Sequence, residues 1–483
     1  MTVPVGLLAA RLDLDLWYDE ACTIQLYVSR GFREIVTRYP DANNHVLFSL
    51  ILRPFWLLSD ADPVLRLPSF LFAIGTLLGV HRILRRLAGP QAAALGVLWL
   101  GLNQMFLIHT IQVRGYGLSM CLAAWLTDWA TRDDRPRRAT SHLAAVLAMA
   151  GFLYAVPSNA LFHPALAIIA LIRAARRPRP RAELGREFGT WAAGAALAVA
   201  AYAPILSDVL TVARSPGVWT DGPLAFARLI RAATFDAPWL WAMLPLGLIA
   251  PRIAPRARTV RTPPILPAAV LLGLFGPLAL QTALQINVPY DRTFCPALVF
   301  LAAGAGWLSW EFADAVRRAV RPSASRAGAA ALALLLVAAV HGPPLLTYSR
   351  RLADVRDRHF AQDGYWCYYA AGFHPSRIVD VLRRYLAPHE PYLVAADRQG
   401  YFSLDHYLHR AGLGSARAPA DGSPCRAKVF YVVPALSNLN DVAQRSRLSV
   451  DSLRRFPQIA DLGYFRVFAA EKTIRLGRAA PPE

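Results

Sequence analysis

Apolar residues in this chain fall in long unbroken blocks rather than in the one-sided stripes of a soluble helix. The blocks run from Val64 to Leu84, Pro90 to His109, Ile111 to Ala130, His142 to Val156, Ser158 to Ile172, Glu187 to Leu206 and Ala237 to Ile253. They continue with Pro264 to Leu284, Phe294 to Trp310 and Gly328 to Leu346. Most approach the ~20 residues that cross a bilayer core. The pattern predicts an all-α polytopic membrane bundle of about 10–11 transmembrane helices. Val46 to Leu58 is equally apolar but about 13 residues long, short for a span.

The polar gaps fix an orientation. Alternate gaps carry arginine clusters: Arg82, Arg85 and Arg86; Arg132, Arg135, Arg137 and Arg138; the run from Arg173 to Arg186; Arg252, Arg256, Arg258 and Arg261; and Arg317, Arg318, Arg321 and Arg326. Placing these inside satisfies the positive-inside rule throughout. A crossing at Val46 to Leu58 would invert every later loop, so that segment reads as an interfacial or re-entrant helix on the outer face. The residues before Asp13 are too few to span, and read as an incomplete first helix or the outer half of one. No cleavable signal peptide is evident.

Beyond Tyr348 the pattern changes. Short β-like runs (Pro391 to Ala396, Lys428 to Val433, Tyr464 to Ala469) alternate with helix-like stretches (Ser376 to Leu386, Tyr401 to His409, Asn440 to Phe456). The expected organisation is a transmembrane domain over 1–347, with an external first loop at 13–63, followed by a small α/β domain over 348–483. That domain lies outside the cytoplasm and is large enough for its own core.

Composition agrees with a membrane protein. Of 483 residues, 55% are hydrophobic and 17% charged, against about a quarter charged in soluble domains. A formal charge of +20 would suggest nucleic acid in a soluble protein. Here the basic residues occupy the gaps between spans, so nucleic acid is not expected as a partner and membrane lipids are. The wealth of Arg, Ala, Leu and Pro looks like a GC-rich bacterial genome, giving a bacterial inner (plasma) membrane as the expected location. The five cysteines form no metal signature. Cys367 and Cys425 both fall in the outer domain, where a disulfide between them is feasible.

The candidate chemistry lies in the outer gaps. Asp19 and Glu20 form an acidic pair within Leu16-Trp17-Tyr18-Asp19-Glu20-Ala21, and carboxylates at a membrane edge are costly enough to suggest function. Other outer gaps hold Asn43-Asn44-His45, then His109 to Tyr116 with Arg114, then Trp219, Asp221, Arg228 and Arg231, and finally Tyr290-Asp291-Arg292. Carboxylates on one segment and isolated arginines on others suit a phosphate-linked substrate that must also be deprotonated.

Structural alternatives stand beside each assignment. Asp19 could cap the following helix, Glu20 could serve the helix dipole, and His45 could anchor a helix start. Arg114 could snorkel, and Asp291-Arg292 could be an internal ion pair. Asp13-Leu14-Asp15 resembles a metal-binding pair, but the pattern is short and common.

The motifs Trp17-Tyr18-Asp19-Glu20-Ala21, Asn44-His45-Val46-Leu47, Leu65-Arg66-Leu67-Pro68-Ser69 and Gln112-Val113-Arg114-Gly115-Tyr116-Gly117 together resemble the GT-C superfamily of polyprenyl-phosphate-dependent glycosyltransferases. The likeness is to its family 39 members, relatives of protein O-mannosyltransferases and of the lipid A aminoarabinose transferase, and covers roughly residues 10 to 320. It implies an inverting transfer of a sugar from a polyprenyl-phosphate donor to an extracytoplasmic acceptor, whether protein, lipid or glycan. Asp19 would be the general base, and its catalytic neighbour Glu20 would position donor or acceptor. Tyr18, His45, Arg114, Tyr116 and Arg292 would bind substrate, with the arginines on the lipid phosphate. No cofactor is implied; a divalent metal is possible but not favoured, because the second external loop has no DxD. Val46-Leu47 departs from the prolines that relatives often carry there. A polytopic transporter or lipid flippase is the alternative; internal repeats and midplane polar residues would favour it, and no repeat is present.

Overall fold

The computed structural model describes residues 1–132, 138–177, 179–214, 222–234, 263–284, 291–320, 326–356, 374–396, 398–417, 423–434, 442–444, 448–462 and 465–474. The chain divides into two compact units: Met1–Leu12 with Tyr27–Ser59 and Pro63–Pro344, and Asp13–Leu26 with Asp60–Asp62 and Leu345–Glu483. The first loop is therefore shared between them.

The first unit is helical. Among the described residues three helices are long and apolar enough to cross a membrane, Asp62–Leu87, Pro180–Val212 and Ile265–Leu284. A fourth candidate is broken: Pro90–Gly101 and Gln104–Ile111 meet at a 67° bend. The sequence predicts one straight span there. The break has a local cause, because Asn103 turns its side chain back to accept the Phe106 N–H at 3.2 Å and so starts a new helix. The short apolar segment is a helix over Val46–Leu58, as expected. The expected block Ala237 to Ile253 lies outside the described residues.

Small residues set the helix spacing. A Cβ built on Gly306 would lie 2.4 Å from the backbone nitrogen of Gly96, so Ala297–Val320 and Pro90–Gly101 meet backbone to backbone. Asp62–Leu87 approaches Tyr116–Thr131 in the same way: Gly75 faces the Cys121 thiol and Gly79 faces Ala124, each at 2.7 Å from a built Cβ. Close backbone approach through small residues is how membrane helices gain packing without a hydrophobic drive between them. Two further helices, His163–Ala174 and Pro180–Tyr202, are joined by a buried ion pair between Arg173 and Glu187.

The second unit carries a five-stranded mixed sheet of order β2-β1-β3-β5-β4. Its strands are β1 (Tyr392–Ala396), β2 (Ala416–Arg417), β3 (Cys425–Pro434), β4 (Gln458–Asp461) and β5 (Phe465–Ile474). β1 and β3 run parallel, with Val394 opposite Phe430, and the remaining pairs are antiparallel. Val429, Tyr431, Val433, Leu453 and Phe468 form a core on one side of it. Helices Pro375–Tyr385 and Arg398–Arg410 lie close to their expected places. Of the helix expected over Asn440 to Phe456, the described residues show helix at 442–444 and over Val450–Arg454, the latter begun by a Ser449 cap. Cys367 lies outside the described residues; Cys425, its expected disulfide partner, carries a free thiol.

Candidate active site

The acidic pair lies in the second unit. Helix Tyr18–Thr23 starts from Trp17 as N-cap and runs on as a π-helix over Ile24–Val28. Asp19 and Glu20 are both in its first turn, where the helix dipole favours negative charge. Asp19 is inside the helix and is not its N-cap. Glu20 is fully buried, and its Oε2 accepts the Trp17 N–H at 2.7 Å. The Thr23 hydroxyl donates to the Asp19 carbonyl at 2.9 Å. Asp19 itself is half-buried.

Helix Arg398–Arg410 holds this segment. The Tyr18 ring meets Phe402 edge-on at 5.6 Å, and Gln25 Nε2 donates to the Phe402 carbonyl at 3.0 Å. The Tyr407 hydroxyl accepts the Leu16 N–H at 2.6 Å and donates to Asp62 at 3.1 Å. Arg410 binds the other Asp62 oxygen at 3.2 Å. Asp15 is engaged too, accepting the Ser376 N–H at 2.8 Å.

The remaining candidates lie in the first unit and converge there. Tyr116 is the hub. The guanidinium of Arg114 lies 5.4 Å from its ring centre and that of Arg292 lies 6.0 Å away, both within cation–π range. His45 and His109 meet the same ring edge-on at 4.9 and 5.7 Å. All five side chains are buried, with Arg114 2% and Arg292 6% exposed.

Backbone geometry explains the spacing of the motifs. Helix Val46–Leu58 begins at His45, whose Nδ1 accepts the Gly115 N–H at 2.8 Å. A Cβ on Gly115 would come within 3.0 Å of that nitrogen and 3.1 Å of the Ala155 carbonyl, so a side chain there would press on both. Arg66, fully buried, donates to the Ile111 carbonyl at 3.2 Å, and Ser69 donates to the Gln112 carbonyl at 2.6 Å. These bonds from the Leu65 to Ser69 motif brace the loop that carries Arg114. Arg114 Nη1 in turn donates to Asn43 Oδ1. Asn43 is set by Asp41, which accepts its N–H at 2.7 Å and the Tyr27 hydroxyl at 3.1 Å.

The electrostatics favour an anion. Burial, reinforced by the charges of Arg114 and Arg292, holds His45 well below the usual histidine value, so the ring is neutral at pH 7. With Nδ1 accepting from Gly115, its proton sits on Nε2, which faces Arg114 Nη2 at 3.3 Å. Two donors facing one another are suited to share an oxyanion. Burial, then the Asp41 and Tyr116 side chains, raises Tyr39 above the usual phenol value despite Arg114.

Sequence reasoning named His45, Arg114, Tyr116 and Arg292, and these four meet in one cluster. It did not assign roles to His109, Asn43 or Gly115. His109 sits at the end of an apolar block, where a lone histidine looks like core. Asn43 lies in a polar run whose long-range partner no local pattern reveals. Trp219, Asp221 and residues 287–290 lie outside the described residues, as does the Asp291 side chain.

No protein-family model matches the chain. No curated protein matches it either. Among solved structures, it is similar to ArnT from Cupriavidus metallidurans in the apo state. The TM-score is 0.58 and the identity 14%, over 97% of this chain and 96% of that one. ArnT from the same organism bound to undecaprenyl phosphate matches with a TM-score of 0.53 and 15% identity, over 100% and 98% of the two chains. The fold that the motif resemblance implied is the fold observed: this chain is built like ArnT from end to end.

Proposed function

We propose that the chain is an integral-membrane inverting glycosyltransferase that takes its sugar from a polyprenyl-phosphate donor and passes it to an extracytoplasmic acceptor. The observation that carries this reading is the buried cluster of Arg114, Arg292 and neutral His45 around Tyr116. Guanidinium groups bind phosphate oxygens in a planar fork, and the His45 Nε2–H adds a neutral donor. Undecaprenyl phosphate is a ligand of the similarly folded ArnT, which supports a lipid phosphate here.

In the proposed reaction Asp19 takes the proton of an acceptor hydroxyl or amine as that atom attacks the anomeric carbon. The new bond forms as the bond from that carbon to the phosphate oxygen breaks, with inversion. The electron pair departs on the polyprenyl phosphate, whose growing charge Arg114 and Arg292 stabilise. Phosphate is a competent leaving group without protonation, so one base suffices. Glu20, bonded to the Trp17 N–H, positions Asp19 by fixing the first helical turn. Tyr18 shapes the same turn through Phe402.

The test is Asp19→Asn, assayed with polyprenyl-phosphate-linked sugars. Turnover should fall by about 10²–10⁴-fold, the usual contribution of a general base, with binding of the lipid phosphate retained. Turnover at the wild-type level would refute the role of Asp19.

A further inference from the structure

The arginine-bearing end of helix Asp62–Leu87 forms a second cationic site, remote from the cluster around Tyr116. Arg66 and Ser69 brace that cluster at one end of the helix. Arg82 and Arg85 lie about 16 residues further on, or ~24 Å at 1.5 Å per residue, close to the thickness of a hydrocarbon core.

A cavity of about 500 Å³ opens there, lined by His81, Arg82, Arg85, Arg86, Asp128 and Arg132. The close contacts of Gly75 and Gly79 with helix Tyr116–Thr131 bring Asp128 against these arginines. Asp128 is 2% exposed and pairs with Arg86 at 3.1 Å, with Arg82 at 3.5 Å and with Arg132. Arg86 is spent on this framework, bonding also to the Thr131 carbonyl and hydroxyl, each at 2.7 Å. One carboxylate thus holds three guanidinium groups in a fixed array, and Arg85 adds a fourth at the cavity wall. The array keeps an excess of positive charge beside a cavity.

What lies beneath it identifies the ligand. Leu67, Leu71 and Leu78 on the same helix are exposed by 36%, 52% and 42%. At ~100° per residue they share with Arg82 and Arg85 one arc of about 60°. An exposed apolar track leading up to a basic cavity matches a phospholipid, with acyl chains on the leucines and the phosphate among the arginines.

We propose that this cavity binds the phosphate headgroup of an anionic membrane phospholipid, on the face of the bilayer opposite the Tyr116 cluster. The test is native mass spectrometry of the full-length protein released from micelles containing phosphatidylglycerol or phosphatidylcholine. Wild-type protein should retain phosphatidylglycerol and not phosphatidylcholine. Retention should weaken about fivefold for each arginine removed in Arg82→Gln and Arg85→Gln, and survive in the charge-preserving R82K/R85K protein. Equal retention of phosphatidylglycerol by R82Q/R85Q would overturn the proposal. So would its displacement from wild-type protein by millimolar inorganic phosphate, since that would mark a site for free anions.

Discussion

Arg114 is held on several sides in the cluster around Tyr116. It is 2% exposed, donates to Asn43, faces His45 and lies over an aromatic ring. A lysine would keep its charge but lose the fork and the stacking. Arg114→Lys should therefore weaken binding of undecaprenyl phosphate, and Arg114→Gln should weaken it further, by about 10–100-fold for a lost charge-assisted contact. Isothermal titration in detergent would read both; unchanged affinity in Arg114→Gln would remove the residue from the phosphate site. A second residue-scale effect concerns pH. Burial, with Arg410 nearby, lowers His406 to about 4 from an ordinary value of 6.5. The unfolded chain thus binds a proton between pH 6.5 and about 4 that the folded chain refuses. Stability is full above pH 6.5 and falls as pH drops through that window, by up to ~1.4 kcal/mol per unit. Thermal unfolding followed from pH 7 to 4 should show this slope, and His406→Leu should flatten it.

At the scale of elements, contacts between helices rest on a few glycines. Gly306→Ala would drive a methyl into the Gly96 backbone, whereas Gly328 has nothing within 4 Å of a built Cβ. The first change should lower the melting temperature sharply, and Gly328→Ala should leave it unchanged or raise it slightly, by the ~0.5–1 kcal/mol of helix propensity. Equal melting of the two variants would show that the backbone contact is not critical. The same scale decides what was legible in the sequence. Val46–Leu58 was readable because its length conflicted with the arginine pattern, and β1, β3 and β5 were readable from their apolar runs. The bend at Asn103 was not, because a single polar residue barely alters the hydropathy of a block while supplying a helix cap. β4 was hidden for the opposite reason: Gln458 to Asp461 is a half-exposed edge strand with little apolar signal. The tie between Leu16–Gln25 and helix Arg398–Arg410 joins residues nearly 400 positions apart, through bonds such as that of Leu16 to Tyr407. No local pattern encodes that partnership.

At the scale of the whole molecule, the candidate residues fall in both units. The first concentrates cationic and neutral donors around Tyr116, while the second fixes the acidic helix on its own scaffold. The chain passes between them within the helical run Tyr18–Val28. This division explains why the candidate residues are scattered from Tyr18 to Arg292. On the proposed function, Tyr407→Phe, which removes the hydroxyl that bridges Leu16 and Asp62, should lower turnover more than it lowers lipid-phosphate affinity. The most direct measurement is the fate of the donor. Purified protein in nanodiscs would be given anomerically pure polyprenyl-phosphate sugars with an envelope extract as acceptor. The released lipid and the anomeric configuration of the product would then be determined. Release of polyprenyl monophosphate with an inverted sugar linkage is the expected result. A retained configuration, or no donor consumed while lipid moves across the bilayer, would contradict it.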